Sequence, residues 1–428
     1  MNQAWVTRPL GEIFEIGAGK TMSKAAREGP GKVPFLRTSN VLWDEIDLTE
    51  FDEMAIDPAE LQQKSLAPGD LLVCEGGEIG RAAVWTGAAS PVSFQNHLHR
   101  LRPSKPGIEP RFYVYFLQSA FTQLGLFAGA GNKTTIANLS RNQLAALEVP
   151  EPSPQEQKDI ARVLGAVRMG MTAHQRSVAH ARDLKRTAMR ELFARGLRSE
   201  PQRETEFGPV PQNWRIADLS EVATVQTGVA KGRALGDAEV VEVPYLRVAN
   251  VQDGHLDLRE MKRITIRTSE IDRYRLEPGD VVLTEGGDFD KLGRGFVWNG
   301  EVPGCVHQNH VFAVRTHRSV LDPTFLAYLA QSPYGKAYFL KVAHKTTNLA
   351  CINTTKLKAL PVLIPDLSEQ QEIVGILDAI DRKIDLHLRK KTVLEVLFRA
   401  LLHKLMTGDV HVADLDLSAL PGPEDAPA

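Results

Sequence analysis

The chain has 428 residues, 43% hydrophobic and 24% charged, with a formal net charge of −2; that length predicts two or three domains with their own cores, and the balance argues against coating nucleic acid by bulk charge alone. Its three cysteines, Cys74, Cys305 and Cys351, show no CxxC spacing, which argues against a zinc ribbon or disulfide scaffold and fits a reducing cytoplasm. The first ten residues lack an apolar signal core and no apolar run reaches membrane-spanning length, so a membrane is not an expected partner.

In chain order, the sequence opens with Trp5-Val-Thr-Arg-Pro-Leu10 and passes into a basic loop holding Lys20, Thr21, Lys24, Arg27 and Lys32. Leu36–Val41 and Asp70–Val73 are short apolar runs, the second opened by a Pro-Gly turn, and both are predicted strands. Glu75-Gly-Gly77 and Gln95-Asn96-His97 follow. Pro110–Leu124 carries aromatics and leucines at helical spacing behind a proline, the sign of a helix start. After Lys133-Thr134-Thr135 and the Pro-punctuated stretch Glu148–Pro154, a long helix is predicted over 153–197. Its seam is Ile160, Leu164, Val167, Met171, His174, Val178 and Ala181, in steps of four and three. At 1.5 Å per residue such a helix runs roughly 63 Å. Residues 155–199 hold ten Lys/Arg against four Asp/Glu, so this helix is basic.

The same order then recurs. Residues 198–213 read as a linker. Trp214-Arg-Ile-Ala-Asp-Leu219 answers Trp5 to Leu10, and Val243-Pro-Tyr-Leu-Arg-Val-Ala-Asn-Val251 answers residues 33–41. Pro278-Gly-Asp to Glu285-Gly-Gly287 answers residues 68–77, Gln308-Asn309-His310 answers Gln95-Asn96-His97, and Lys345-Thr346-Thr347 answers Lys133-Thr-Thr. Pro323–Leu340 repeats the helical pattern. A second long helix is predicted over 367–408, with Ile373, Leu377, Ile380, Ile384, His387, Lys391 and Leu394 on its seam. Residues 409–428 read as a disordered tail. Each copy is therefore a globular part, 1–152 or 214–366, followed by a long helix. The fold class is α+β, an internal pseudo-twofold repeat in which the two helices pair antiparallel as a coiled coil. Two readers held apart by a spacer act as a ruler, as dimeric DNA readers do on two half-sites. Readers with different loops predict an asymmetric, split target.

The Trp-led start of each copy, the Pro-Gly-Asp strand with its trailing glycines, the Gln-Asn pair and the long-helix starts carry a resemblance. Those starts are Pro365-Asp-Leu-Ser-Glu369-Gln370-Gln-Glu-Ile373 and, slightly altered, Pro152-Ser-Pro-Gln-Glu156-Gln157-Lys-Asp-Ile160. Over residues 5–410 the chain resembles the specificity (S) subunit of type I restriction–modification systems. The resemblance implies two target recognition domains joined by a coiled coil and a non-catalytic role in recognising double-stranded DNA. It implies as partners two DNA methyltransferase (M) subunits and, in the full complex, restriction-translocation (R) subunits. S-adenosylmethionine, ATP and Mg would sit on those partners, leaving this chain with no cofactor or metal of its own. The alternatives are a tandem interaction scaffold without a DNA role and a specificity-like subunit of another phage-defence system.

Gly17-Ala-Gly19-Lys20-Thr21 hints at a phosphate-binding P-loop, but that motif needs a glycine five positions before Gly19, where Phe14 stands. No methyltransferase signature is present, so any base to be methylated is flipped out by a partner. Glu75 and Glu285 are turn carboxylates or acceptors from a cytosine amino group. Gln95, Asn96, Gln308 and Asn309 could bond adenine, but residues shared by copies that read different sequences favour a positioning role. Lys133 with Thr134 and Lys345 with Thr346 suit phosphate oxygens as well as they suit a solvated loop. Arg37 and Arg247 at matched strand starts, Lys231 and Arg233 in the second basic loop, and Lys291 in a non-matching insert complete the DNA-contact candidates. Ile160, Leu164, Val167, Met171, Ile373, Leu377, Ile380 and Ile384 are the expected helix–helix or partner interface. His174 and His387 are expected to set register.

Overall fold

A computed structural model describes residues 5–87, 91–125, 138–232, 234–287, 292–345, 350–418 and 420, with Lys345 described in its backbone only. The chain divides into two units. Unit 1 takes in Met1–Gln175 and Arg389–Ala428, and unit 2 is Arg176–Leu388. The long helices are Pro154–Arg195 and Leu367–Thr407, so each contributes one half to each unit.

Both units are built on one plan. Unit 1 has an antiparallel sheet in the order Phe14–Ala18, Leu98–Pro103, Leu71–Cys74, Ala82–Val84, and unit 2 repeats it as Ala223–Thr227, Val311–Thr316, Asp280–Thr284, Gly295–Trp298. Beside each lies a three-stranded sheet with one parallel pair, Lys32–Leu36 with Ser93–Phe94 and Val240–Leu246 with Val306–His307. The first strand of each copy pairs with the last before its long helix, Val6–Pro9 with Glu148–Glu151 and Arg215–Asp218 with Pro361–Ile364.

The repeated Pro-Gly-Asp has a structural cause. Gly69 and Gly279 adopt φ of +90° and +97°, which a residue with Cβ resists. The aspartate that follows is buried, and a buried carboxylate must be fully bonded. Asp70 accepts both nitrogens of Arg102 at 2.7 Å and the Ala67 N–H at 2.7 Å. Asp280 accepts Arg315 at 2.8 and 2.9 Å and the Glu277 N–H at 2.8 Å. The helix Pro110–Thr122 buries Phe112, Tyr113, Tyr115, Phe116 and Leu117 against the sheet.

Four expectations need correction. Leu36–Val41 and Leu246–Val251 are not continuous strands: each turns through a 3-10 segment, Thr38–Asn40 or Val248–Asn250. The buried amides of Asn40 and Asn250 hold the loop that follows through the carbonyls of Asp47 and Glu50, or Asp257 and Glu260. Pro323–Leu340 is two helices, Pro323–Gln331 and Pro333–Val342, because Pro333 cannot continue the first and buried Ser332 caps the second. The expected linker 198–213 contains a hairpin, Gln202–Thr205 with Gly208–Pro211, whose Val210 is fully buried in unit 2. In the expected tail, Val412 is buried and Leu415, Leu417 and Leu420 pack on the unit 1 core. Arg162 Nη2 anchors this segment by donating to the Leu417 and Leu420 carbonyls at 3.1 Å.

Inside each unit the long helices run antiparallel. In unit 1 the start of the first helix, with Ile160, Leu164, Val167 and Met171, shares a core with Phe398, Leu402, Leu405 and Met406 near the end of the second. In unit 2 Met189 and Phe193 near the end of the first share a core with Ile373 and Leu377 at the start of the second. The seam thus does two jobs: its outer turns also bury the recognition domain, while Ile380 and Ile384 are only half-buried. Gln157 and Gln370 explain the repeated Glu-Gln. Gln157 accepts the Glu109 N–H and donates to Pro152 O, and Gln370 accepts the Asp322 N–H and donates to Val320 and Pro365 carbonyls, all within 3.0 Å. Each long helix is so pinned to the start of the helix it packs on. Among the described residues no helix is long and apolar enough to cross a membrane.

Candidate nucleic-acid interface

In both units the Gln-Asn-His turn lies between the two sheets. The Gln95 N–H donates to Leu36 O and the Asn96 N–H to Lys20 O; the Gln308 N–H donates to Leu246 O and the Asn309 N–H to Val229 O, each at 2.9 or 3.0 Å. The chain crossing this turn does so at a glycine. A Cβ on Gly19 would meet the carbonyl oxygens of Phe94 and Gln95 at 2.3 Å, and one on Gly228 would meet that of His307 at 2.0 Å. Gly19 therefore serves backbone crossing, and the P-loop reading has no remaining support.

This crossing also fixes how the two basic loops align. The isolated bridges pair Lys20 with Gln95 and Val229 with Gln308, so the counterpart of Lys20 is Val229, not Lys231. Val229 is buried in a cluster that Ile271 packs against. At the same place Lys20 is ion-paired with Glu60, whose other oxygen lies 2.9 Å from Lys64 Nζ. Hydrogen bonds from Lys20, then Lys64, hold the Glu60 carboxyl below its usual range. Lys20 is a packing position filled by an ion pair, not a free cation for DNA.

The other candidates separate by environment. Arg37 is 2.7 Å from Asp52. Arg247 donates to Glu260 O at 2.8 Å and reaches the Glu260 carboxylate at 3.7 Å. Both brace the loop that Asn40 or Asn250 clamps. Gln308 Oε1 accepts the Val248 N–H at 3.3 Å, a positioning role. Thr21, Lys24, Arg27 and Lys32 are exposed around a short helix, Lys24–Glu28, capped by Ser23, and Lys231 is exposed in unit 2. Lys133, Thr134, Arg233, Lys291 and Thr346, and the side chain of Lys345, lie outside the described residues.

Sequence reasoning missed two features. The edge strand Lys262–Arg267 of unit 2 carries Lys262, Arg263 and Arg267, where unit 1 has Asp52–Ala55 with Asp52 and Glu53. The two domains thus present opposite charge at one shared place, a difference visible in the sequence only once the strands are aligned. The second feature is how the short hairpins Val41–Ile46 and Val251–Leu256 meet the long helices. In unit 1 Asp44, at φ +52°, is buried and bonded to Arg111 at 2.8 Å and to the Tyr115 hydroxyl at 2.5 Å, with Arg168 at 3.8 Å. In unit 2 the hydroxyl of Tyr328 lies 2.7 Å from both Asp378 and Asp381, and Lys185 pairs with Asp381 at 2.7 Å. A cleft of about 890 Å³ opens there, lined by Gly254, Tyr328, Lys336 and Arg382 among others. Burial first, then the two carboxylates, raise the Tyr328 pKa. Among the described residues no group of three His, Cys, Asp or Glu is placed to hold a metal ion.

Comparisons with known proteins agree with this duplicated plan. The profile of the family described as "Type I restriction modification DNA specificity domain" matches residues 2–176 and again 211–396. The putative type I restriction enzyme MjaX specificity subunit of Methanocaldococcus jannaschii is 25% identical over 215 residues, 50% of this chain and 50% of that one, so only half of that relative's length is matched. The type I restriction enzyme StySPI specificity subunit of Salmonella potsdam is 24% identical over 388 residues, 87% of this chain and 81% of its own. Among solved structures, the type I restriction-modification S subunit from M. genitalium superposes with a TM-score of 0.56 at 16% identity, over 95% of this chain and 97% of that one. That likeness is one of fold. With two matches spanning most of its length, this chain belongs to the type I restriction modification DNA specificity family.

Proposed function

We propose that this chain is the DNA sequence-specificity subunit of a type I restriction–modification system, reading a split, asymmetric site and bringing methyltransferase and restriction subunits to it. The observation that carries the reading is a shared scaffold with divergent surfaces. Asp–Arg pairs, glutamine clamps and glycine crossings are the same in both units, whereas the acidic and basic edge strands are not. Shared parts position a reader and variable parts specify what it reads. The curated relatives are named as type I restriction enzyme specificity subunits, which supports the same reading. The chain itself is non-catalytic on this view. Adenine-N6 methylation with S-adenosylmethionine falls to two methyltransferase subunits, and ATP- and Mg-dependent cleavage to restriction subunits, in the cytoplasm. Thr21, Lys24, Arg27, Lys32 and Lys231 are the proposed DNA contacts among the described candidates.

The test is to co-express the chain with a methyltransferase subunit from its own genome and map modified adenines by single-molecule sequencing. Methylation at one split motif, lost when the chain is omitted, is expected. A stable complex with no motif would favour an interaction scaffold instead.

A further inference from the structure

We propose that His97 and His310 are phosphate-positioning residues of the two recognition domains, each oriented by its own glutamate, Glu75 or Glu285. The assignment rests on the specificity-subunit reading above. His97 Nδ1 lies 3.5 Å from Glu75 Oε2, and His310 Nδ1 lies 2.5 Å from Glu285 Oε2. The same backbone bond joins each pair, from the Glu75 N–H to His97 O and from the Glu285 N–H to His310 O, both 2.9 Å. The imidazoles are 52% and 56% exposed. A contact between a half-exposed imidazole and a carboxylate adds little to stability, so folding alone does not account for having this arrangement twice.

The backbone around the two pairs is bonded alike. Glu75 O accepts the N–H of Leu139, just after residues 126–137. Glu285 O accepts the N–H of Ile352 in the same way, beside a ribbon of Gly286–Gly287, Ala350–Cys351 and His344–Lys345. Each pair is thus held by the same backbone bond in both units. A group common to two readers of different sequences contacts what those sequences share, the sugar–phosphate backbone. The carboxylate takes the Nδ1 side of the ring, so Nε2 is the nitrogen left to meet a phosphate oxygen. An imidazolium between a carboxylate and a phosphate oxygen donates from both nitrogens, its second proton drawn from solvent, and both bonds are charge-assisted. In unit 2 the Asn309 amide nitrogen donates to His310 Nε2 at 3.2 Å, a bond that the imidazolium gives up when it turns Nε2 to a phosphate oxygen.

The experiment uses the complex with its methyltransferase subunits and two duplexes, one carrying the mapped split site and one scrambled, titrated over a range of salt. His310→Ala is expected to weaken binding to both duplexes by one common factor of about ten, the equivalent of one charge-assisted hydrogen bond. The slope of log affinity against log salt should fall by about one, at an unchanged melting temperature. His97→Ala should do the same. Glu285→Gln, which still accepts from Nδ1, should keep most of the affinity that Glu285→Ala loses. A lowered melting temperature with unchanged DNA binding would make the pair a turn brace, and a loss confined to the split site would make the histidine a base reader; either overturns the assignment. Equal binding to both duplexes by the unmodified complex would overturn the specificity reading and this assignment with it, a result seen before any substitution is made.

Discussion

A methyl group on Gly19 would sit 2.3 Å from two carbonyl oxygens, and one on Gly228 would sit 2.0 Å from another. Neither backbone can yield without breaking the turn bonds beside it, so Gly19→Ala or Gly228→Ala should cost about 2–3 kcal/mol, read as a drop in the melting temperature of the unit concerned. Lys20 gives a contrasting prediction. Replacing a partly buried ion pair with apolar side chains is often neutral or stabilising, and unit 2 already does so with Val229. Lys20→Val combined with Glu60→Leu should leave stability and DNA affinity unchanged, whereas Lys20→Val alone strands Glu60 beside Lys64 and should lower stability. The pH dependence follows from Glu60, whose carboxyl is held below its usual range in the folded state. Its contribution is present above the unfolded value of about 4.3 and is lost as pH falls through the lower folded value. The melting-temperature gap between the unmodified chain and Glu60→Gln should therefore shrink on titrating from pH 6 towards pH 3. At this scale the sequence was legible where it repeated and misleading where it did not. The match of Gln308 with Gln95 held, but Lys20 looked like a phosphate ligand because one-dimensional spacing cannot show that Glu60 lies across from it.

At the scale of elements, the glutamines at the mouths of the long helices are the most sensitive points. Gln370 is fully buried and satisfies one backbone N–H and two carbonyls. Gln370→Ala leaves those groups without a partner and should cost about 2–3 kcal/mol, measured by denaturant unfolding, with Gln157→Ala similar in unit 1. The long helices were legible because forty residues of period leave little ambiguity. Element ends were less so. Pro333 sat within a pattern that stayed apolar on both sides, and periodicity alone continued the helix through it. Leu36–Val41 looked like a strand because its residues are apolar, yet Asn40 bends the chain by bonding carbonyls 7 and 10 residues further on. The hairpin at 202–211 was read as loose for its proline, glycine and charge, and the chain from 409 for the proline-rich, acidic stretch that ends it. Val210 and Val412 are buried nonetheless, and Phe207, Leu415, Leu417 and Leu420 pack partly buried on the two cores.

For the molecule as a whole, duplication is the legible fact, and it placed two recognition units and two long helices before any coordinate was known. The contacts to nucleic acid were less legible, because shared residues such as Gln157 and Gln370 build the scaffold and other candidates, among them Lys133, Thr346, Arg233 and Lys291, lie outside the described residues. If the helices set the distance between half-sites, adding one heptad to both should lengthen the unread gap in the methylated motif and leave each half-site unchanged, as adenine mapping would show. The discontinuity of unit 1 has a consequence for how the chain is made. Unit 2 is a single run, Arg176–Leu388, while unit 1 needs Arg389 onward as well as the first 175 residues. On the ribosome the earlier-made half therefore cannot close: Ile160 and Leu164 emerge long before Phe398, Leu402 and Leu405, which share their core. Synthesis order and folding order are opposed, and the first recognition domain to be translated is the last to be completed.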